Sequence, residues 1–356
     1  MNEEYGINLP SGIFRMLDAS LNRAAEGLRV LEDVARMVLN EAELTHELKN
    51  IRHGLELSIP FRPVLLSKRD SQNDVGQVSS GGGSAEHGDI FSIVTANARR
   101  CEQALRTIEE IARLPDSNMK SSTFENMRFK LYSLEKDIVS RILRRQKQSR
   151  IKGLYVILDS TLLGGRSHMD MAKMLLEAGV KTIQLREKNM PGGKFLKLAC
   201  SLVKLCDSNN AMLVINDHLD IALASGAGGL HLGQEDIPLS IARKHLPIDT
   251  IIGVSVDSVE QAKKAEQNGA DYISPQAIFE THSKACPPIG LNAFRAIRNA
   301  VSIPIVAIGG INIDNIALVI EAGTDAVAVI SSVTLSPEPD QVARELSKRF
   351  NQSTIS

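Results

Sequence analysis

Toward the C-terminal part of the chain, short apolar runs end repeatedly in residues able to hold ions. One run closes as Gln184-Leu185-Arg186-Glu187-Lys188, and strand-like alternation sends Gln184, Arg186 and Lys188 to a single face. An amide and two cations on one face can grip phosphate oxygens and the edge of a heterocycle. The next run ends Asn216-Asp217, and the one after it leads into His231-Leu-Gly-Gln-Glu-Asp236. Asp217 and Asp236 then close neighbouring strands, where two carboxylates can share a hard cation such as Mg2+, whose usual companions are phosphates and water. Each aspartate taken singly reads equally well as a helix N-cap. Ser255 adds a hydroxyl at a further strand end. The stretch Phe279-Glu280-Thr281-His282-Ser283-Lys284 brings two hydroxyls and a cation suited to closing over an anion, and neither spacing nor a partner marks His282 as catalytic. Gly309-Gly310 and Ile330-Ser331-Ser332 end the last two runs, where small residues form a backbone N–H cradle for phosphate. Two anion sites therefore face one mouth, one built for a metal-bound diphosphate and one for a monophosphate. That arrangement suits transfer from a diphosphate ester to a phosphorylated acceptor.

These side chains need a frame that gathers strand ends. The runs are 154–159, 182–187, 213–217, 229–233, 251–256, 272–278, 304–310 and 326–332, alternating with helical patterns. Eight strands with intervening helices predict a (β/α)8 TIM barrel; a doubly wound sheet is the alternative, without a GxGxxG turn to support it. Phe14 to about Arg145 reads instead as helices, over Leu17 to Val38, Leu44 to Leu57, Ile90 to Leu114 and Phe124 to Leu143, with 60–84 a loop rich in Pro, Gly, Ser and Asp. The fold class expected is thus α/β, a TIM barrel preceded by a smaller all-α domain. Its boundaries are an all-helical domain over 1–145, a basic linker over 146–153 and the barrel over 154–356. Within the helical part, Arg23 to Arg36 aligns without gaps to Arg100 to Arg113. Arg29 with Glu32 and Asp33, and Arg106 with Glu109 and Glu110, share helix faces. They read either as solvated ion pairs or as charges turned toward one polar cleft between paired helices.

The bulk composition narrows the function classes. With 41 basic against 42 acidic residues, the net charge of -1 gives no general field for nucleic acid or an anionic membrane, so any bound anion must be held locally. The N-terminus has no basic region followed by an apolar run, and a cytoplasmic protein acting on small molecules is expected, with a homo-oligomer open. Cys101, Cys200, Cys206 and Cys286 stand singly, which predicts free thiols rather than a zinc site or disulfide frame.

Seven ordered motifs carry a resemblance: QLREK (184–188), IND (215–217), HLGQED (231–236), GVS (253–255), IFETHSK (278–284), AIGGI (307–311) and VISS (329–332). With them, residues 154–335 resemble thiamine phosphate synthase. The resemblance implies a transferase of thiamine biosynthesis that joins hydroxymethylpyrimidine diphosphate to hydroxyethylthiazole phosphate. It implies that Gln184, Leu185, Arg186, Glu187, Lys188, Asn216, Ser255 and Lys284 bind the diphosphate substrate. Asp217 and Asp236 would hold Mg2+. Thr281, His282, Ser283, Gly310, Ile330 and Ser331 would bind the thiazole phosphate, and Arg186, Lys188, Ser255 and Lys284 would carry catalysis. One departure is Ser274 to Glu280, where the family has a Gly-rich strand ending Gly-Pro-Ile-Phe-Pro-Thr; Glu280 adds negative charge there.

The stretches 17–36, 48–55, 67–76 and 96–113 resemble a helical domain found fused to such synthases and associated with hydroxymethylpyrimidine phosphate kinase activity. That would call for ATP, although Gly81 to Ser84 lacks the Gly-Lys-Ser/Thr of a P-loop. Candidate phosphate binders are Arg23, Arg29, Arg52, His53, Arg69, Arg100 and Arg106, with Asp70 and Asp74 for metal. The competing readings are a helical dimerisation module for this half, and a phosphate-sugar isomerase or lyase, a thiazole tautomerase, or a non-catalytic binding protein for the barrel.

Overall fold

The computed structural model describes residues 7–59, 61–70, 88–281 and 287–353. His282, Ser283, Lys284, Cys286, Asp74 and Gly81 to Ser84 lie outside the described residues. The chain divides into two compact units, Met1–Leu143 and Arg144–Ser356. No helix among the described residues is long and apolar enough to cross a membrane.

The second unit is the expected barrel. Its strands are β1 Gly153–Asp159, β2 Thr182–Arg186, β3 Met212–Asn216, β4 Gly229–Leu232, β5 Ile251–Val256, β6 Tyr272–Pro275, β7 Val306–Ile308 and β8 Ala326–Val329. They run parallel in the order β6-β5-β4-β3-β2-β1-β8-β7. A parallel bridge of Ile273 with Ile305 brings the two ends of that order together, and the Ile273 N–H donates to the Pro304 carbonyl at 3.0 Å.

Alternation along each strand separates two apolar layers. Leu158, Ile183, Leu185, Ile215, Leu230, Val254 and Val327 face outward into the layer beneath the helices. Tyr155, Ile157, Val214, Ile251, Tyr272 and Val306 fill the interior. Gly253 makes room there, since a Cβ on it would stand 2.0 Å from the Tyr272 ring.

The basic stretch expected as a linker has a fixed place within this unit. Arg144 Nε and Arg243 Nη2 donate to the two oxygens of buried Asp271 at 2.8 and 2.6 Å, and Lys147 Nζ donates to Asp249 at 2.6 Å. Ile151, 1 % exposed, enters the interior core next to β1. Paired charges and a buried isoleucine thus order residues whose composition reads as loop.

In the first unit, α1 spans Ser11–Asp33, α2 Ala42–Leu57, α3 Arg62–Ser67, α4 Ile90–Ala112 and α5 Ser121–Gln148, the last residues of α5 belonging to the second unit. A π-helical turn, Val34–Val38, continues α1. Helix α3 lies where a loop was expected; Phe61, Val64 and Leu65 are buried in the helical core and hold that short segment in place. The remaining helices are α6 His168–Glu177, α7 Gly192–Ser208, α8 Leu219–Ser225, α9 Leu239–His245, α10 Val259–Gln267, α11 Gly290–Ala300, α12 Ile316–Glu321, α13 Ser331–Thr334 and α14 Pro339–Ser353.

The repeated segments form α1 and α4, which pack against each other along their lengths. Cys101 Sγ lies 3.4 Å from the carbonyl of Ala24, its own equivalent in the repeat, and a Cβ on Gly27 would stand 2.5 Å from that sulfur. Burial pushes the Cys101 thiol up to about 12, that of an inert packing group.

Candidate active site

The inward face of β2 carries Gln184 and Arg186 toward the C-terminal mouth of the barrel, where sites form in this fold. Gln184 is only 3 % exposed, and its amide makes no hydrogen bond among the described residues. The same holds for the side chain of Asn216 at the end of β3. The guanidinium of Arg186 is ion-paired with Asp159 at the end of β1. Asp159 also accepts the N–H and hydroxyl of Thr161 at 3.0 and 2.6 Å. Burial alone would raise the Asp159 carboxyl, yet the Thr161 hydrogen bonds and Arg186 hold it below the ordinary range. Arg186 is therefore a fixed cation. Lys188 lies past the strand end, exposed and without a partner among the described residues.

The side chains of Leu185 and Glu187 turn the other way. Leu185 is fully buried in the outer layer. Glu187 accepts the N–H and hydroxyl of Ser160 at 3.1 and 2.9 Å and faces His168 Nε2 at 2.6 Å, which ties α6 to the β1 turn. Strand alternation assigns them to this layer.

Asp217 follows β3 in the left-handed region, φ 64°, a conformation that aspartate tolerates better than most residues. Its N–H donates to the His231 carbonyl at 2.8 Å, which turns the chain out of the strand. His218, rather than Asp217, occupies the position before α8, so the N-cap alternative does not hold for Asp217. Asp236 accepts the Gly233 N–H at 2.6 Å through Oδ2, so one of its oxygens does close a turn. Its carboxylate nevertheless faces Asp217 closely enough to perturb it. Burial and then the facing Asp236 push the Asp217 carboxyl up to about 6, against the opposing pull of Arg186 and His218. Two carboxylates forced together repel each other and are relieved by a proton or a cation. No group of three or more His, Cys, Asp or Glu suited to a metal occurs among the described residues. A pair of carboxylates without further protein ligands fits Mg2+, which keeps waters and takes substrate phosphates. It does not fit the closed ligand set of structural zinc.

Ser255 on β5 joins a buried polar chain that the sequence reading passed over. His231 Nε2 lies 3.0 Å from Ser255 Oγ, His231 Nδ1 lies 3.0 Å from the Tyr272 hydroxyl, and Tyr272 lies 3.1 Å from the Tyr155 hydroxyl. Burial pushes His231 down to about 4, so the ring is neutral at physiological pH. A neutral imidazole donates from one nitrogen and accepts at the other. If Tyr155 donates to Tyr272, Tyr272 to Nδ1 and Nε2–H to Ser255, every donor is satisfied and the Ser255 proton points onward. The reverse order strands the buried Tyr155 O–H without an acceptor among the described residues, so the first is favoured. The signals for His231 and Asp159 were present in the sequence: both are polar and inward by alternation.

Beyond β7, Gly309 and Gly310 adopt φ of 94° and 65°. A Cβ on Gly309 would stand 2.3 Å from Ala277, and one on Gly310 2.3 Å from the Glu280 carbonyl, so both glycines permit close approach of the loop after β6. The Glu280 side chain itself is exposed, and Thr281 is partly buried. After β8, Ile330 precedes the short turn α13, whose first amides have no side-chain cap. Ser331 is partly buried there, and the adjacent Ser332 Oγ is buried without a partner among the described residues. Free amides beside an orphaned hydroxyl are what a phosphate requires.

In the first unit, the exposed i,i+4 pairs read from the repeat are present, Arg29 with Asp33 and Arg106 with Glu110, beside buried contacts of the neighbouring carboxylates. Glu32, 4 % exposed, accepts from Arg29 at 3.2 Å and from Arg52 of α2 at 3.0 Å. Glu109, fully buried, accepts from Arg106 at 2.8 Å, Arg113 at 2.6 Å and Arg128 of α5 at 2.9 Å. Glu32 and Glu109 thus also clasp α2 and α5 through Arg52 and Arg128, while Arg29 and Arg106 stay half exposed. Arg69 pairs with Asp18 at 2.7 Å, His53 lies 4.0 Å from Glu56, and the Asp70 carbonyl accepts from Arg15 at 3.0 Å. Arg23 and Arg100 have no partner among the described residues.

Residues 154–333 match the family model described as thiamine monophosphate synthase, and residues 15–137 match the ThiD2 family. A thiamine-phosphate synthase of Synechocystis sp. is 34 % identical over 340 residues, covering 95 % of this chain and 96 % of its own length. One of Nostoc sp. is 34 % identical over 343 residues, covering 96 % and 95 %. Among solved structures, thiamine phosphate pyrophosphorylase from Pyrococcus furiosus aligns with TM-score 0.53 and 37 % identity, over 58 % of this chain and 98 % of that one.

Proposed function

The chain belongs to the thiamine monophosphate synthase family, and from that premise we propose that its barrel joins 4-amino-2-methyl-5-hydroxymethylpyrimidine diphosphate to hydroxyethylthiazole phosphate, releasing thiamine phosphate and pyrophosphate, or to its carboxylated form, releasing CO2 as well. The observation that carries this reading is the pair Asp217 and Asp236, whose carboxylates face each other close to Arg186. In this reading the pair holds Mg2+. Bound there, the ion would neutralise charge on the diphosphate and favour its departure.

The chain's own groups do the rest by position and charge. Arg186, fixed by Asp159, and Lys188 take oxygens of the leaving pyrophosphate; Lys284 joins them on the strength of the sequence alone. Gln184 and Asn216 offer their unpaired amides to the pyrimidine edge, and Ser255 directs its hydroxyl proton at the diphosphate substrate. Thr281, Gly310, Ile330 and Ser331 hold the thiazole phosphate, with His282 and Ser283 assigned from sequence. The methylene C–O bond breaks with its electron pair leaving on pyrophosphate, and the thiazole nitrogen lone pair forms the new C–N bond. No protein group needs to carry a proton, so electrostatics and alignment supply the rate. The test is incubation of the full chain with both substrates and Mg2+. Thiamine phosphate and pyrophosphate should accumulate in equal amounts, and their absence would refute the assignment.

For the first unit we propose transfer of phosphate from ATP to the pyrimidine monophosphate, which makes the diphosphate that the barrel consumes. Its match to the ThiD2 family supports this. ADP formed only when both ATP and the monophosphate are present would support the reading, and no ADP above background would refute it.

A further inference from the structure

The strongest feature outside the barrel is a cleft between α1 and α4. Its volume is about 580 Å3, within the range of small-molecule sites. We propose that this cleft is an anion site that takes the phosphoryl group of a small phosphorylated molecule between Arg23 and Arg100. The choice of a pyrimidine monophosphate as occupant rests on the kinase reading above; the anion site rests on geometry alone.

That geometry starts from the repeat. The contact of Cys101 Sγ with the Ala24 carbonyl joins two residues that are equivalent in the repeat, 77 positions apart. A residue that touches its own equivalent lies on the local twofold axis. One position earlier on each helix stand Arg23 and Arg100, also equivalent, and both line the cleft. So do the equivalents Ser20 and Asn97, buried at 4 % and 8 % exposure. Gly27 and Ala104 are likewise paired by the repeat and keep this part of the cleft free of bulk. The cleft is therefore a pseudo-symmetric pocket, with small or polar side chains buried in it and a cation from each helix.

The neighbouring arginines of the same helices show why these two matter. Arg29 and Arg106 are spent on Glu32 and Glu109, whereas Arg23 and Arg100 have no carboxylate, hydroxyl or carbonyl partner among the described residues. Ser20 Oγ is also without a hydrogen bond there, and the Asn97 amide donates only to Ile93 at 2.8 Å, leaving its oxygen unused. One carboxylate, Glu26, lines the cleft where the repeat places Gln103 opposite, which leaves two positive charges against one negative. Two forked guanidinia on one concave surface suit the oxygens of a phosphate monoester better than a single carboxylate ligand.

The test uses the full chain and reads individual arginines. Modification by phenylglyoxal, followed by mass spectrometry, should be slowed about tenfold or more at Arg23 and Arg100 by inorganic phosphate or pyrimidine monophosphate, and left unchanged at the ion-paired Arg29 and Arg106. Stronger protection by the monophosphate than by inorganic phosphate would identify an organic phosphate as the occupant. Arg23→Gln with Arg100→Gln removes two exposed side chains without partners, so folding, checked by thermal melting, should persist. ATP turnover should then fall by about tenfold or more. Protection of both arginines in a chain that forms no ADP would uphold the cleft and overturn the kinase reading. Unprotected arginines, with equal ADP formation by the wild type and the double variant, would overturn the cleft and leave the kinase standing.

Discussion

Replacing His231 with leucine should disarm Ser255 without touching it. The imidazole bridges Ser255 Oγ and the Tyr272 hydroxyl, each at 3.0 Å, in a site where His231 is 8 % exposed. Removing it leaves the Tyr272 hydroxyl with a donor but no acceptor, at a cost of about 1 to 3 kcal/mol in stability. It also frees Ser255 to rotate away from substrate. Loss of one oriented hydroxyl corresponds to about 1.4 kcal/mol of transition-state binding, or about tenfold in kcat/KM. Because Ser255→Ala removes the same interaction from the other end, the double variant should be no slower than Ser255→Ala alone. The coupling energy would then equal the whole His231 effect. Pyrophosphate release measured for the four proteins of this cycle gives the catalytic arm, and urea unfolding gives the stability arm. Independent, multiplicative losses would refute the proposed relay.

Glu109→Gln should destabilise the first unit by about 3 kcal/mol, because it leaves Arg128, itself mostly buried, without its countercharge. Chemical denaturation reads this, and a change below about 0.5 kcal/mol would show that the clasp is incidental. A second test concerns pH. Burial and the facing Glu135 push the Glu102 carboxyl from 4.5 up to about 7. A raised carboxyl contributes stability that is full below its ordinary value and lost as pH rises through the folded one. Glu102→Gln should therefore raise the melting temperature at pH 8 and leave it nearly unchanged at pH 4; equal shifts at both would contradict the pairing.

The barrel was legible because its signal is periodic. All eight strands occur at the expected places, and β5 runs over Ile251–Val256 as read. Strands six to eight were read too long, because the apolar runs continue into loops: β6 stops at Pro275, which lacks a ladder donor, and β7 stops before the two glycines. Arg186, Asn216 and Ser255 were readable from alternation alone. Asp159 and His231 obey the same rule, yet their roles depend on partners many residues away in sequence, Arg186 for one and Tyr272 for the other. Glu187 shows the converse, since its place in the motif says nothing of the Ser160 and His168 that occupy it. In the helical half, the repeat and its pairs of Arg29 with Glu32 and of Arg106 with Glu109 were visible, but the further arginines that those carboxylates take from other helices were not. Those further partners, Arg52 and Arg128, depend on α2 and α5 packing alongside.

Shared binding of a cation by Asp217 and Asp236 is tested most directly by calorimetric titration of Mg2+ in the presence of pyrophosphate. The wild type should bind one Mg2+ per barrel, with Asp217→Asn and Asp236→Asn each weakening it by about a hundredfold as one of two charged ligands is lost. Undiminished Mg2+ binding by both variants would contradict it.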